Sequence, residues 1–474
     1  MKINPNIFRG YDLRGIVNKD LNPEIVELIG RVYGTLMKQR GINKAIVGRD
    51  CRATSFEYSE ALIKGFCWAG LDVIDIGMTL VGIFYWGQFY LNCKGGAFVT
   101  ASHNSAEYNG FKFAIDFSET LVGDGIQELR EKVEKEDCKK AEILGKIEKQ
   151  NIQEPYFNDL IKRLPITKKF KVVIDPSCST AGVIAPDLLR RVGCEVIENN
   201  CKIDSSFPLG VPDPTELKVA ERLREKVIEV NADIGFSYDA DGDRIGIVDN
   251  KGNIIWNDVL IALFATDILS YYPGAKIMYN TLCSKVVKET ILQRNGIPFM
   301  WRTGHSFLKK KNQEIKAPFV GELSGHFFFS ADFYNHDDGL YSTLRLLSYL
   351  SKTNQTLSDA ITVLPKFISS PEVKVGCPDN LKVDLINRIA KRLKQEFQKA
   401  EIIDDERAGD GIYFDTGDTM FVIRYSQNGP YLTVKFEAKI QEKYDKLKKY
   451  INNLLHNYNE IDWKAGSNVE VLID

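Results

Sequence analysis

The chain is predicted to be α/β: three tandem mixed-sheet α/β domains followed by a smaller antiparallel α+β domain. Three observations point there. A strand, a polar turn, a helix closed by glycine and a second strand occur in that order three times, a layout that demands a mostly parallel sheet covered by helices. The last hundred residues change pattern, with closely spaced strands joined by short turns. The 474 residues, 44% hydrophobic and 27% charged, have room for several soluble cores.

The first copy runs from Lys44–Val47 through the turn Gly48-Arg49-Asp50, a helix reaching Cys67, Gly70, and a strand over 71–76. The second runs from Phe170–Ile174 through Asp175-Pro176-Ser177, a helix over 186–192, Gly193, and a strand over 194–197. The third opens at Lys276–Tyr279, turns over 280–284, forms a helix over 285–294, passes Gly296 and ends in a strand over 298–301. The tail is predicted as a helix over 381–399, strands at 411–414, 419–425 and 431–436, and a lysine-rich helix over 440–457. Domain bounds of 1–150, 151–254, 255–368 and 369–474 follow. The charge-rich segment 128–150 is expected as one solvated helix crossing between the first two domains.

With 62 basic and 64 acidic residues the net charge is -2, so no bulk field recruits nucleic acid or an anionic membrane. The N-terminus lacks the apolar core of a signal peptide and no apolar run reaches spanning length, so a cytoplasmic location is expected. Nine scattered cysteines without a CxxC pair are expected to be reduced.

Four stretches carry chemistry. In FVTASHNSAEYNGFKF, an apolar strand delivers Ser102, His103 and Asn104, with Lys112 returning nearby; a hydroxyl so placed can take and pass on a group. In DADGDR, Asp239, Asp241 and Asp243 stand at alternate positions and repel one another unless a cation sits among them; oxygen-only ligands favour Mg²⁺. In GELSGH, Glu322, Ser324 and His326 are held between glycines, suited to sugar hydroxyls, and the upstream turn holding His305 adds a cationic edge through Lys309 to Lys311. In RYSQNGP, Arg424, Ser426 and Asn428 sit on a hairpin tip suited to a phosphate.

These four stretches, with the opening FRGYDLRG and the segment VGRDCR, resemble the active-site loops of the α-D-phosphohexomutases, phosphomannomutase/phosphoglucomutase branch. The resemblance implies a heart-shaped four-domain enzyme with a phosphoserine at Ser102. It would interconvert hexose 1-phosphate and hexose 6-phosphate, of mannose or glucose, through a hexose 1,6-bisphosphate that also serves as activator. Mg²⁺ would be shared by phospho-Ser102, Asp239, Asp241 and Asp243, with Arg14, Lys112 and Arg244 adding positive charge. His103 and His326 become candidates for handling the substrate proton, with Lys112 competing; His305, Glu322 and Ser324 would contact the sugar, and Arg424, Ser426 and Asn428 the phosphate that is not moving. The partner expected is the phosphosugar alone, on a monomer or weak homo-oligomer. Phosphoglucosamine mutase and a non-catalytic phosphosugar-binding relative are the alternatives. Two departures stand out: Ser105 replaces the proline usual in the serine loop, and Gln427 to Gly429 differ from the usual phosphate loop.

Overall fold

A computed structural model describes residues 3–427 and 429–473. Its strands form four sheets. In the first, Leu13–Ile16, Tyr108–Asp116, Gly95–Val99, Lys44–Arg49, Asp72–Met78 and Ile147–Lys149 lie in that order. Gly95–Val99, Lys44–Arg49 and Asp72–Met78 run parallel, while Tyr108–Asp116 is antiparallel to its neighbours, so the sheet is mixed. The second sheet pairs Lys171–Asp175 in parallel with Glu195–Glu198 and Ile234–Tyr238, then adds Ile245–Asp249 antiparallel. The third repeats the scheme with Lys276–Asn280 between Ile297–Trp301 and Phe319–Gly321. The tail sheet is antiparallel throughout, built on Gly411–Asp415, Thr419–Tyr425, Tyr431–Ala438 and Val373–Gly376.

One prediction is overturned. The charge-rich segment is not a single helix: the helix Asp124–Glu134 stops, and Ile147–Lys149 joins the open edge of the first sheet, parallel to Asp72–Met78. Gly145 explains why this stretch packs as strand, since a side chain there would strike the Leu71 carbonyl oxygen at 1.7 Å. The interdomain helix begins only at Gln153–Arg163.

The first three domains share a continuous apolar core that includes Phe84, Phe98, Tyr156, Phe170, Phe264 and Leu347, all buried. In the tail the two-residue strand period divides the labour. Ile412, Phe414, Phe421 and Ile423 face a separate core with the helices Lys382–Glu396 and Gln441–His456, whereas Tyr413, Met420 and Val422 face the shared core. Polar bridges complete the docking: Lys285 Nζ meets Asp415 Oδ1 at 2.7 Å, Lys374 meets Asp213 at 3.3 Å, and Arg9 meets Asp379 at 3.3 Å. All nine cysteines are free, and each is buried or half-buried. No helix among the described residues is long and apolar enough to cross a membrane.

Candidate active site

The loops leaving the C-terminal ends of the parallel strands converge, the usual address for a site in this architecture. Ser102 follows the strand Gly95–Val99 and is 1% exposed. Its backbone is left-handed, φ 48°, a conformation that costs an L-residue about 1 kcal/mol and is kept here by surrounding bonds. Thr100 Oγ1 accepts from the Ser102 amide at 2.8 Å, and Thr100 is itself fixed on Asp50 at 2.7 Å. Arg52 then donates to four carbonyls of the loop: Ser102 and Asn104 at 2.6 Å, Ser105 at 2.8 Å and Tyr108 at 3.0 Å. The rigidity that the absent proline would supply thus comes from a guanidinium beneath the loop.

Ser102 Oγ donates to Asp239 Oδ2 at 2.8 Å and lies 3.1 Å from His103 Nδ1. Asp239, Asp241 and Asp243 are buried with one carboxylate oxygen each within 4.8 Å of the others. Gly242 makes this turn possible with φ 69°, and the Gly242 carbonyl accepts from the Gly339 amide at 3.1 Å. The Asp241 carbonyl accepts from the Val81 amide at 3.0 Å, so the acidic turn is bolted to the first and third domains. Burial, reinforced by Asp243 and Asp241, pushes the Asp239 carboxyl well above the usual carboxylate range. Lys112 answers this charge: its Nζ is 2.8 Å from Asp241 Oδ2 and also contacts Asp243. Burial opposes the ammonium, but Asp241 and Asp243 outweigh it and hold Lys112 well above the ordinary lysine value. Asp241 Oδ1 and Asp243 Oδ1 remain buried with no hydrogen-bond partner, and an all-oxygen set of this kind fits a hard divalent cation.

Arg244 is buried and donates through Nε to His326 Nε2 at 2.9 Å. His326 Nδ1 rests 2.7 Å from Asp337 Oδ2, so His326 turns its Nε2 lone pair to Arg244. Arg14 pairs with Asp12 at 2.8 Å and reaches the serine loop by donating to Asn104 Oδ1. Glu322 Oε1 accepts from the Gly304 amide at 3.0 Å, leaving Glu322 Oε2 and Ser324 Oγ buried and unpartnered. Arg424 is held by Asp410 through two bonds, Nε to Oδ1 at 2.8 Å and Nη2 to Oδ2 at 2.5 Å. Ser426 is buried, and Asn428 lies outside the described residues.

A narrow cleft has His103, Arg244, Glu322, Ser324, Arg424 and Ser426 on its wall, while Ser102, Lys112, Arg14, His326 and the three aspartates are not on it. His305 is placed differently. It opens the helix His305–Ile315 and is buried behind His326, its ring stacked at 4.7 Å on that imidazole and its Nδ1 3.3 Å from Asp337. Lys309 is equally buried, with Nζ 3.6 Å from Asp337 and 3.7 Å from the Tyr85 ring centre; burial draws its pKa down to about 8. Of the cationic edge expected through Lys309 to Lys311, Lys309 therefore faces inward, whereas Lys310 is exposed and Lys311 lies over the Trp301 ring. Sequence reasoning left Tyr11 and Thr303 without a role inside segments it had singled out, and missed Glu372 and Lys374 on the cleft wall and Asp337 behind it. Of the three missed, Asp337 carried a signal, as one of two consecutive aspartates before a helix.

Comparison with known proteins agrees with this arrangement. Models of phosphoglucomutase/phosphomannomutase α/β/α domains I, II and III match residues 5–140, 154–252 and 256–367. The phosphomannomutase/phosphoglucomutase of Pseudomonas putida is 38% identical, covering 94% of both chains. The phosphoglucomutase of Neisseria meningitidis serogroup A is 33% identical over 97% of this chain and 98% of its own. A crystal structure of a phosphoglucomutase/phosphomannomutase family protein from Burkholderia thailandensis superposes with a TM-score of 0.86 at 32% identity, covering 96% of this chain and 98% of that one. The chain belongs to the phosphoglucomutase/phosphomannomutase family, and it is a phosphohexomutase.

Proposed function

We propose that Ser102 carries the phosphoryl group in the resting enzyme and exchanges it with the hydroxyls of mannose or glucose phosphates. The observation that carries this reading is the 2.8 Å bond from Ser102 Oγ to Asp239 at the point where loops of the first three domains meet under the tail. In the first step the phosphorus–Ser102 oxygen bond breaks and a bond forms to the free hydroxyl of the sugar, whose proton leaves. Arg244 Nε gives up His326 Nε2 for the incoming phosphoryl group, and the freed Nε2, oriented by Asp337, is the acceptor for that proton. Lys112, paired with Asp241 and Asp243 beside the serine loop, neutralises the transferring group. His103, whose pKa burial and the nearby Arg244 and Arg14 hold well below the ordinary histidine value, is neutral beside the serine and suited to orienting its oxygen. The bisphosphate then turns end for end, and the reverse transfer restores the enzyme and releases the isomer.

Asp239, Asp241 and Asp243 would hold Mg²⁺, which supplies Lewis-acid polarisation of the transferring phosphoryl group when bound. Arg14 braces the serine loop through Asn104, and Arg244 adds its charge beside His326. Glu322 Oε2 and Ser324 Oγ, both without partners, are free to bond the sugar hydroxyls, with His305 holding the imidazole behind them. Arg424, Ser426 and Asn428 grip the idle phosphate. The four domains, assigned as 1–150, 151–254, 255–368 and 369–474, each contribute one loop.

Incubation with hexose 1,6-bisphosphate, followed by peptide mass mapping and coupled assays on mannose, glucose and glucosamine phosphates, tests the reading. Phosphate on Ser102 and turnover of mannose or glucose phosphates are expected. Phosphate on another residue, or preference for the glucosamine phosphate, would overturn the assignment of nucleophile or of sugar.

A further inference from the structure

Sequence motifs place one cation, Arg424, on the tail side of the cleft. The sheet register supplies another. Lys374 on the strand Val373–Gly376 lies directly opposite Thr433, and Thr433 lies directly opposite Arg424 on the next strand. Directly opposed residues project from the same face, so Lys374, Thr433 and Arg424 form one row across three strands, and all three line the cleft. Two strand spacings separate the ends of the row by about 10 Å, with Thr433 midway.

Each member has bonding capacity left. Arg424 spends Nε and Nη2 on Asp410, which leaves Nη1 available. Lys374 has three donors and spends one on Asp213 Oδ2 at 3.3 Å. Thr433 is 0% exposed and its hydroxyl has no hydrogen-bond partner, an arrangement that costs stability unless something fills it. Asp213 does not exhaust the lysine's charge, because it also faces Arg244 Nη1 at 3.9 Å and is fixed by Thr215 Oγ1 at 2.7 Å.

We propose that Lys374 is a substrate-binding residue: with Thr433 between them, Lys374 and Arg424 form a two-cation seat for the dianionic phosphate that stays bound while its twin is transferred. This deepens the proposed function and rests on it. The seat belongs to a rigid sheet row, not to the hairpin tip, which is how the tip can carry Gln427 and Gly429 without loss of the site. It also sets Lys374 on a boundary, because the bridge to Asp213 ties the tail to the second domain while the ammonium faces the ligand.

The test compares wild type with Lys374→Met, Lys374→Arg and Thr433→Val by calorimetry with a hexose 1-phosphate, a hexose 6-phosphate and the free hexose, alongside steady-state assays and melting temperatures. Lys374→Met is expected to weaken both phosphosugars about tenfold, with kcat within about threefold and free-hexose affinity unchanged. Thr433→Val, which keeps volume and removes the hydroxyl, is expected to weaken them about threefold. Lys374→Arg should recover most of the loss while restoring the charge. Wild-type phosphosugar affinity in Lys374→Met, or an equal loss for the free hexose, overturns the lysine's role while leaving the proposed function standing. A wild-type protein that binds neither phosphosugar overturns the reading beneath it as well.

Discussion

The two ends of the site are built on different principles. At the serine end, Ser102, Lys112, Arg244, His326 and the three aspartates come from three domains with a common apolar core, and they bond to one another. At the tail end, Arg424 and Lys374 stand on a domain with a largely separate core, each bonded to a carboxylate, Asp410 or Asp213, with Glu372 adding its charge near both. The difference teaches a division of roles. A phosphoryl transfer state tolerates little misplacement, so its groups are assembled before substrate arrives. A bisphosphate that must turn around needs a seat that accepts either end, and a cation pair on a docked domain supplies charge without demanding one orientation.

Changes at the serine end should therefore cut kcat, and the largest effect falls on the nucleophile. Ser102→Ala is expected to lower turnover by about three orders of magnitude or more with a near-wild-type melting temperature. Ser102→Gly should be equally inactive but more stable than Ser102→Ala by up to about 1 kcal/mol, because φ 48° is open to glycine. Equal stability of the two variants would show that the left-handed conformation is not retained in solution.

Next in size is the acidic turn. Asp239→Asn should lower kcat by about a hundredfold and weaken Mg²⁺ binding while raising the melting temperature of the metal-free protein, since burial, Asp243 and Asp241 all oppose the charge of Asp239. A fall in metal-free stability would mean that the attraction of Asp239 to Arg244 and its bond from Ser102 outweigh that repulsion. At the tail end, Arg424→Ala should instead raise KM about tenfold to a hundredfold with kcat changed far less. An equal fall in kcat would erase the distinction between the ends.

Acid should separate the domains before it reaches the serine. His336 of the third domain is buried against Phe89 and Tyr334, with Nδ1 3.2 Å from Ser118 Oγ of the first domain. Burial pulls its pKa down to about 3, and that of His305 to about 4, from the ordinary histidine value near 6.5. Both are neutral when folded, and the unfolded chain binds the extra protons. Their contribution to stability is therefore complete above about pH 6.5 and is lost as the pH falls towards 4 and then 3. Denaturation monitored between pH 7 and 4 should show this loss, and His336→Phe should flatten part of it. The smallest effect is expected for Arg9→Ala, which removes a partly exposed bridge across the mouth to Asp379 and should change KM and stability by less than about twofold and about 1 kcal/mol.

The fold was legible because each parallel unit repeats the same punctuation, with Gly70, Gly193 and Gly296 ending its helix. The loops were legible because their polar residues are contiguous. Charge content misled at 128–150, where Lys and Glu fill a solvated helix and a sheet edge alike; Gly145, costly inside a helix, was the mark that a helix should have ended. Lys374 and Thr433 were out of reach for a different reason. Each is one polar residue in an otherwise ordinary strand, and only the pairing register shows that they stand in line with Arg424. Asp213 acquires meaning only through Lys374, 161 residues on in the tail, and Asp337 through His305, Lys309 and His326 of its own domain.

Arg52 bears on how such a sequence can drift. It reads no side chain of the serine loop; it holds main-chain oxygens, which every residue at those positions presents alike. The information for the loop's path is thereby stored half a domain away from the loop. Residues such as Ser105 and Ala106 can be exchanged over generations with little penalty, whereas a lysine at position 52 could not reproduce a planar fork with four carbonyl partners. Heritable variation in this protein should accordingly pass at Ser105 and Ala106 and stop at Arg52, the buried arginine that ends the separate VGRDCR segment.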